Sequence, residues 1–169
     1  MTQQSSLAVK GSFVLPNFRQ GYKVDQAGTP VAGVPDFIPP RESPLDRANG
    51  KASYQLCLIT PKSHAFLNSG YANMRVQRHA AGDQCAMLHP DDALARGVLD
   101  GAVVTIFNDR GRLTCKAKLT TDVMRGVVAV HGGYWRSGKA AVNALAGAEV
   151  SNIGRAPAFS DIAVEVAPA

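Results

Sequence analysis

The feature that most restricts how this chain can fold is the stretch from Ala102 to Thr120. Ala102-Val103-Val104-Thr105-Ile106-Phe107 has the β-branched and aromatic content of a strand. Asn108-Asp109-Arg110-Gly111 then carries the residues of a hairpin turn. The return strand alternates cleanly, with Leu113, Cys115, Ala117 and Leu119 on one face and Thr114, Lys116, Lys118 and Thr120 on the other. A period of two with one wet face argues for an antiparallel ribbon laid against a core.

The flanking segments are short strands of the same kind. Tyr54 to Ile59 is an apolar run of strand length, ended by Pro61, which cannot donate to a sheet ladder. Ala86-Met87-Leu88 and Val127-Val128-Ala129-Val130 read as two more strands, and Phe159 to Val166 as a last one in which Ile162, Val164 and Val166 alternate. Between them, His89 to Gly97 is marked as a short helix. Pro90 suits its first position, Asp91 and Asp92 face the positive end of the dipole, Arg96 lies in the last turn and Gly97 fits the left-handed C′ site. Asp100-Gly101 is a turn, and Thr121 to Gly126 is a turn or a single helical turn. Tyr71 to Arg78 shows no clean period, and residues 138–148 are mostly small. Short strands at this spacing, with one or two short helices, suit a small β-barrel or sandwich rather than a doubly wound sheet.

Residues 1–50 differ. Proline recurs at Pro16, Pro30, Pro35, Pro39, Pro40 and Pro44, and apolar clusters are brief. Proline fixes its own φ and pushes its predecessor out of the helical region. The segment is therefore expected to be an irregular arm, with residues 51–169 forming the domain. A chain of 169 residues accommodates one such domain. Its composition, 46% apolar and 18% charged, is globular. No apolar run reaches the roughly 20 residues that span a bilayer, so no membrane insertion is expected. Met-Thr-Gln-Gln-Ser-Ser lacks the basic and hydrophobic parts of a secretory signal. That points to the cytoplasm, or to the periplasm only if a partner carries the chain. The net charge of +5 is scattered, without the clustered cations and interleaved aromatics of a nucleic-acid groove, so no nucleic-acid partner is expected. Three well-separated cysteines form no CxxC pair, and Cys57 and Cys115 fall inside strand patterns as small hydrophobes.

Chemistry concentrates after the first strand. Thr60-Pro61-Lys62-Ser63-His64-Ala65-Phe66-Leu67-Asn68-Ser69 brings hydroxyls, an ammonium, an imidazole and an amide into one loop at the end of an apolar strand. Polar loops on rigid supports commonly hold polar ligands. Gly133 to Lys139 matches G-x-x-x-x-G-K, yet Ala140 stands where a nucleotide P-loop needs a magnesium-binding hydroxyl, and Tyr134-Trp135 would crowd the phosphates. Its glycine amides and Arg136 or Lys139 could still meet an anion. Ser63 beside His64 lacks a nucleophile elbow, and His64, His79, His89 and His131 have no zinc-ligand spacing. No catalytic or metal-ligating set is therefore expected.

Taken in order, several motifs resemble one family. They are Leu58-Ile59-Thr60-Pro61-Lys62-Ser63-His64, Leu67-Asn68-Ser69, Tyr71-Ala72-Asn73, His89-Pro90-Asp91-Asp92-Ala93, Arg96-Gly97-Val98, Asp100-Gly101, Phe107-Asn108-Asp109-Arg110-Gly111, Arg125-Gly126-Val127-Val128, Asn143-Ala144-Leu145 and Pro157-Ala158-Phe159-Ser160-Asp161. The series resembles the C-terminal molybdopterin-dinucleotide-binding domain of the large molybdenum and tungsten oxidoreductases, the group that includes formate dehydrogenases, nitrate reductases and dimethyl sulfoxide reductases. Pro39 to Pro44 resembles the segment that enters this domain in the longer enzymes.

The resemblance implies a double-psi β-barrel of the aspartate-decarboxylase-like type. It implies binding of molybdopterin guanine dinucleotide, as bis-MGD with molybdenum or tungsten, shared with other domains. It assigns the cofactor to Thr60, Pro61, Lys62, Ser63, His64, Asn68 and Ser69 of the first loop, to His131 of the second, to Asn143, and to Phe159-Ser160 closing over it. Lys62 stands where arginine is frequent, a point charge in place of a fork, and Ala146 stands where the late motif usually has threonine. The metal ligand and iron–sulfur cysteines of such enzymes lie in other domains. This chain is therefore expected to be the capping domain or small subunit of an oxidoreductase whose redox chemistry a large catalytic partner supplies. The alternative is a double-psi barrel that binds a protein and no cofactor.

Overall fold

Six strands close into a barrel in the computed structural model, which describes residues 40–42, 50, 53–135, 141–150, 156–157 and 161–169. They are β1 (Leu56–Ile59), β2 (Cys85–Leu88), β3 (Val103–Asn108), β4 (Gly111–Leu119), β5 (Val127–Val130) and β6 (Ile162–Pro168). The order around the barrel is β1-β5-β2-β4-β3-β6, and β6 returns to β1. β1 runs parallel to β5 and β2 parallel to β4, while every other pairing is antiparallel. This is the double-psi β-barrel. It resolves the choice between barrel and sandwich, because closure leaves no unpaired edge.

The hairpin forms as its alternation requires. Phe107 faces Arg112 and Asn108 faces Gly111, with the Asn108 side-chain oxygen accepting from the backbone N–H groups of Arg110 at 3.0 Å and Gly111 at 3.3 Å. Leu113 and Ala117 are buried, Cys115 and Leu119 pack against the core, and Lys116 and Lys118 are exposed. Val104 and Ile106 point inward from β3. Leu56, Leu58, Ala86, Leu88, Val128, Val130, Val164 and Val166 complete the interior from the other strands. Each large side chain so buried contributes roughly 1.5–3 kcal/mol of transfer free energy, so the interior of the barrel supplies most of the driving force for folding.

Two short helices join the strands. α1 (Arg75–Ala81) has no buried residue. A helix without a buried face carries no apolar stripe, which is why its stretch of sequence shows no period. α2 (Pro90–Leu94) is shorter than the expected span from His89 to Gly97, whose last residues form a turn. Its caps are as read from sequence. The His89 Nδ1 accepts from the Asp91 N–H at 3.2 Å, and Gly97 has φ of 66°. The N–H of Val98 donates to Ala93 O at 2.9 Å and that of Gly97 to Leu94 O at 3.1 Å, a Schellman closure. Val142–Ala144 is a 3₁₀ turn within the small-residue stretch. The last strand begins at Ile162, later than expected, and Phe159 and Ser160 lie outside the described residues.

Residues 41–147 and 159–169 make up one compact unit, the barrel with its loops. The second unit, residues 1–40 and 148–158, is described only at Pro40, 148–150 and 156–157, where Val150 and Pro157 form an antiparallel bridge.

Burial pushes the Cys115 thiol up to about 11 from an ordinary 9.0. The thiolate is the reactive form, so at pH 8 Cys115 should alkylate about 100-fold more slowly in the folded protein than in denaturant, a ratio that follows from the two-unit shift. Peptide mass spectrometry after timed iodoacetamide labelling measures it, and equal rates in both states would contradict the burial of β4's inner face.

Candidate functional site

The strand directions decide which loops meet. β1 and β5 are parallel, so the loops that follow them, 60–70 and 131–135, leave the barrel at the same end. β6 is antiparallel to β1, with Ile162 opposite Leu58, so β6 starts at that end too. The same logic brings there the β3–β4 turn, since Phe107 lies opposite Glu165, and the entry to β2, since Ala86 lies opposite Val130. α1 therefore also sits at this end, while α2 and the turns at 97–101 and 120–126 lie at the other.

The two loops after β1 and β5 are fastened together. Their parallel register continues as a bridge between Lys62 and Gly132, with Gly132 N–H donating to Pro61 O at 3.0 Å. Phe66 meets Tyr134 edge-on with ring centroids 5.1 Å apart. The Tyr134 hydroxyl donates to Ala81 O at 3.1 Å, and the Trp135 indole N–H donates to Ser69 O at 2.8 Å. Leu67 and Gly70 exchange backbone hydrogen bonds, closing the tip of the first loop. Asn68 and Tyr71 accordingly take left-handed φ values of 53° and 69°. Gly133 has φ of 98°, and a Cβ there would lie 2.2 Å from Asn68 O. The backbones come this close only because position 133 has no side chain.

This fastening uses backbone atoms, aromatic rings and the indole N–H, and spares the polar side chains. Thr60, Lys62, His64, Asn68 and Ser69 are exposed, and among the described residues the side chains of Thr60, Lys62 and His64 have no hydrogen-bond partner. Ser63 is the buried polar residue of the loop, 8% exposed; its Oγ accepts from Ala65 N–H at 3.2 Å. His131 is half-buried, and its carbonyl accepts from the Gln84 side chain at 2.9 Å. A Cβ on Gly132 would meet nothing within 4 Å, so the backbone beside Lys62 faces open space. Between Ser53 and Gly82 there is no carboxylate, whereas Lys62, Arg75 and Arg78 all fall there. The loop after β1 therefore carries cations and no carboxylate of its own, while Asp83, Asp109 and Asp161 come to the same end on other segments.

Asn143 reaches this end through the 3₁₀ turn. Val142 and Leu145 are buried on either side of it, and Asn143 itself is exposed. Asn108 Nδ2 donates to Leu145 O at 2.9 Å and to Ala163 O at 3.2 Å, tying that turn to the start of β6. The expected site residues from Thr60 to Ser69, with His131 and Asn143, thus gather at one end of the barrel. Phe159, Ser160, Arg136 and Lys139 lie outside the described residues. Of the residues that fasten the loops, Gly133, Tyr134 and Trp135 were visible in sequence only as a poor match to a phosphate loop, and Phe66 only as an apolar member of the first loop. The bulk that argued against that role is what holds the two loops together. Among the described residues no group of His, Cys, Asp and Glu could hold a metal ion, and no helix is long and apolar enough to cross a membrane.

Comparison with known proteins adds to this geometry. Residues 56–163 match the family model of the molydopterin dinucleotide binding domain. The chain is 36% identical over 105 residues to a trimethylamine-N-oxide reductase of Haemophilus influenzae, covering 61% of this chain and 12% of that protein. It is 41% identical over 104 residues to a dimethyl sulfoxide/trimethylamine N-oxide reductase of Rhodobacter capsulatus, covering 54% and 12%. Among solved structures it matches acetylene hydratase from Pelobacter acetylenicus with a TM-score of 0.70, at 17% identity, over 85% of this chain and 22% of that one. The last likeness is one of fold. The chain spans about an eighth of the length of these curated reductases.

Replacing Gly133 with alanine should strain the left-handed backbone and drive the two loops apart, at a cost of about 1–3 kcal/mol. Trp135 is the single tryptophan, so its indole N–H gives one resolved proton signal. In Gly133→Ala that proton should exchange with solvent at least several-fold faster, while amides of β2 and β4 keep their protection. Unchanged indole exchange would show that the loops do not depend on this contact.

Proposed function

The chain belongs to the molydopterin dinucleotide binding domain family, and on that premise we propose that it binds the guanine form of the dinucleotide as the capping domain or small subunit of a molybdenum or tungsten oxidoreductase. The observation that carries this reading is the convergence, at one barrel end, of a carboxylate-free loop whose Thr60, Lys62 and His64 side chains are unpartnered among the described residues and of the 3₁₀ turn bearing Asn143.

The residues fit such a group. Lys62, flanked by a backbone with open space at Gly132, is a suitable partner for a diphosphate, as are loop amides and the hydroxyls of Thr60 and Ser69. Ser63 offers a hydroxyl proton with no acceptor among the described residues. His64, Asn68, His131 and Asn143 supply the mixed donors and acceptors that a heterocycle's edge requires. Pro61 contributes its carbonyl to the bridge that holds Gly132. Phe159 and Ser160 stand two and one residues before Asp161, the residue that leads into β6, and are proposed to close over the same end. When bound, the group supplies a metal centre for oxygen-atom or electron transfer. This chain's part is to bind and orient it and to keep water from one of its sides.

The other wall is proposed to be protein. Leu67, Tyr71, Met74, Val76 and Trp135 are large apolar side chains about half exposed or more, all near the loop end. A helix as short as α1 is marginal without tertiary packing, yet no residue of α1 is fully buried in this chain. A larger partner chain or further domains carrying the metal ligand and iron–sulfur cluster would cover this face. Residues 1–50 are proposed to be an arm that lies on that partner and is anchored to the barrel at Glu42 by Arg110. The cytoplasm, or the periplasm by way of such a partner, is the proposed location.

Coexpression of the full chain with a candidate catalytic partner, in cells that make the cofactor, should yield a complex that retains pterin. Lys62→Ala and Asn143→Ala should each lower retained pterin about tenfold or more, as expected for losing a hydrogen bond to a charged or buried group. Fluorescence of the released pterin measures retention. Normal retention in both variants would sink the site assignment.

A further inference from the structure

Glu42 and Arg110 lie outside the residues assigned to the cofactor, yet both hold the segments that carry them. The Arg110 guanidinium uses its terminal nitrogens on Glu42, one on each carboxylate oxygen, and its Nε donates to Leu145 O at 2.8 Å. Leu145 O accepts a second hydrogen bond from Asn108 Nδ2 at 2.9 Å. Glu42 also accepts from the backbone N–H of Ala163, whose carbonyl is held by Asn108. The first residues of β6 are thus gripped through both backbone groups, and the end of the 3₁₀ turn through a doubly bonded carbonyl. Gly111 removes the remaining slack, since a Cβ there would lie 2.6 Å from Ala144 O.

The chemistry of this knot is specific. A carboxylate held by a guanidinium fork is shorter, stronger and more directional than a neutral hydrogen bond. Arg110 is 31% exposed and Glu42 23% in their side chains, so the pair is partly sheltered from solvent screening. Arginine can engage Glu42 and Leu145 together because its donors lie in one plane; lysine offers a single point charge. The knot gathers four separate parts of the chain, the entry segment at Glu42, the β3–β4 turn, the segment after β5 at Leu145 and the start of β6 at Ala163, the last two lying two residues from Asn143 and three from Ser160.

We infer that Arg110 and Glu42 are positioning residues: their fork, through Leu145 O and Ala163 N–H, sets where Asn143 and the start of β6 present themselves to the ligand. The inference rests on the cofactor-binding reading above for its ligand, but not for its geometry. Arg110→Lys keeps the charge and breaks the fork. Glu42→Gln keeps the shape and removes the charge, and serves if Arg110→Lys does not fold.

Two measurements on the full chain separate the possibilities. The first is amide hydrogen exchange without cofactor or partner. In either variant the amides of Ala144, Leu145, Ala146 and Ala163 should exchange at least tenfold faster, with those of Met87 and Ala117 unchanged. Unaltered rates at 144–146 and 163 overturn the inference, whatever the ligand. The second is pterin retention in the coexpressed complex, as a double-mutant cycle with Asn143→Ala. Because the fork acts through Asn143, Arg110→Lys should lower retention about as far as Asn143→Ala does, and the double variant no further. Full additivity, or a loss in Asn143→Ala with none in Arg110→Lys, overturns the positioning role. Retention unaffected by Asn143→Ala, with exchange accelerated as expected in the fork variants, rejects the assignment of Asn143 while upholding the fork's grip on the turn.

Discussion

The parallel pairing of β1 with β5 is the constraint on which the candidate site depends. A parallel pair cannot be joined by a tight turn, so the chain between Ile59 and Val127 must cross the barrel before it returns alongside. That detour contains α1, β2, α2 and the β3–β4 hairpin. Its consequence is that two loops far apart in sequence emerge side by side and continue the register as the Lys62–Gly132 bridge. An antiparallel pairing would have placed them at opposite ends, and the polar groups of residues 60–69 would face a blank rim.

The two ends of the barrel have been put to different uses. At the far end, polar groups satisfy one another. Asp92 accepts from the Gly126 N–H at 2.7 Å, Arg96 pairs with Glu165, and the Asp100 carboxylate accepts from the Leu119 N–H at 2.8 Å. At the loop end, Asn108, Arg110 and Glu42 tie the β3–β4 turn to its neighbours, but the loops after β1 and β5 are fastened to each other by aromatic rings, backbone and the indole N–H, leaving Thr60, Lys62 and His64 uncommitted among the described residues. Groups left unpaired at the cost of internal hydrogen bonds are what a ligand site requires. The uncommitted side chains of that one loop support the cofactor-binding reading independently of the family likeness.

The family assignment also bears on what this chain lacks. It spans about an eighth of the curated reductases it matches, and its described residues hold no metal-ligating cluster. The exposed Leu67, Val76 and Trp135 of the loop end are what the proposed partner would cover.

Much of this was legible in the residues. The hairpin at Ala102–Thr120 declared itself by period two and by its turn, because a half-buried strand records its environment in alternate positions. The caps of α2 were legible because capping chemistry is local: His89, Pro90 and Gly97 act within a turn of their own positions. The polar loop after β1 was visible, and so was the order of motifs that resembles the family. α1 escaped notice because a helix with no fully buried residue leaves no stripe. The roles of Gly133 and Trp135, and of Arg110 and Glu42, escaped for a different reason. Each acts on a partner dozens of residues away, and the sequence carries no mark of which carbonyl an indole or guanidinium will find. By itself, then, the sequence determined the strands, α2 with its caps and the chemistry of the loop at Thr60–Ser69. The order of motifs implied a double-psi barrel by resemblance, but only the tertiary structure decided which strands pair and which loops share an end, because strand direction and register are settled by nonlocal pairing.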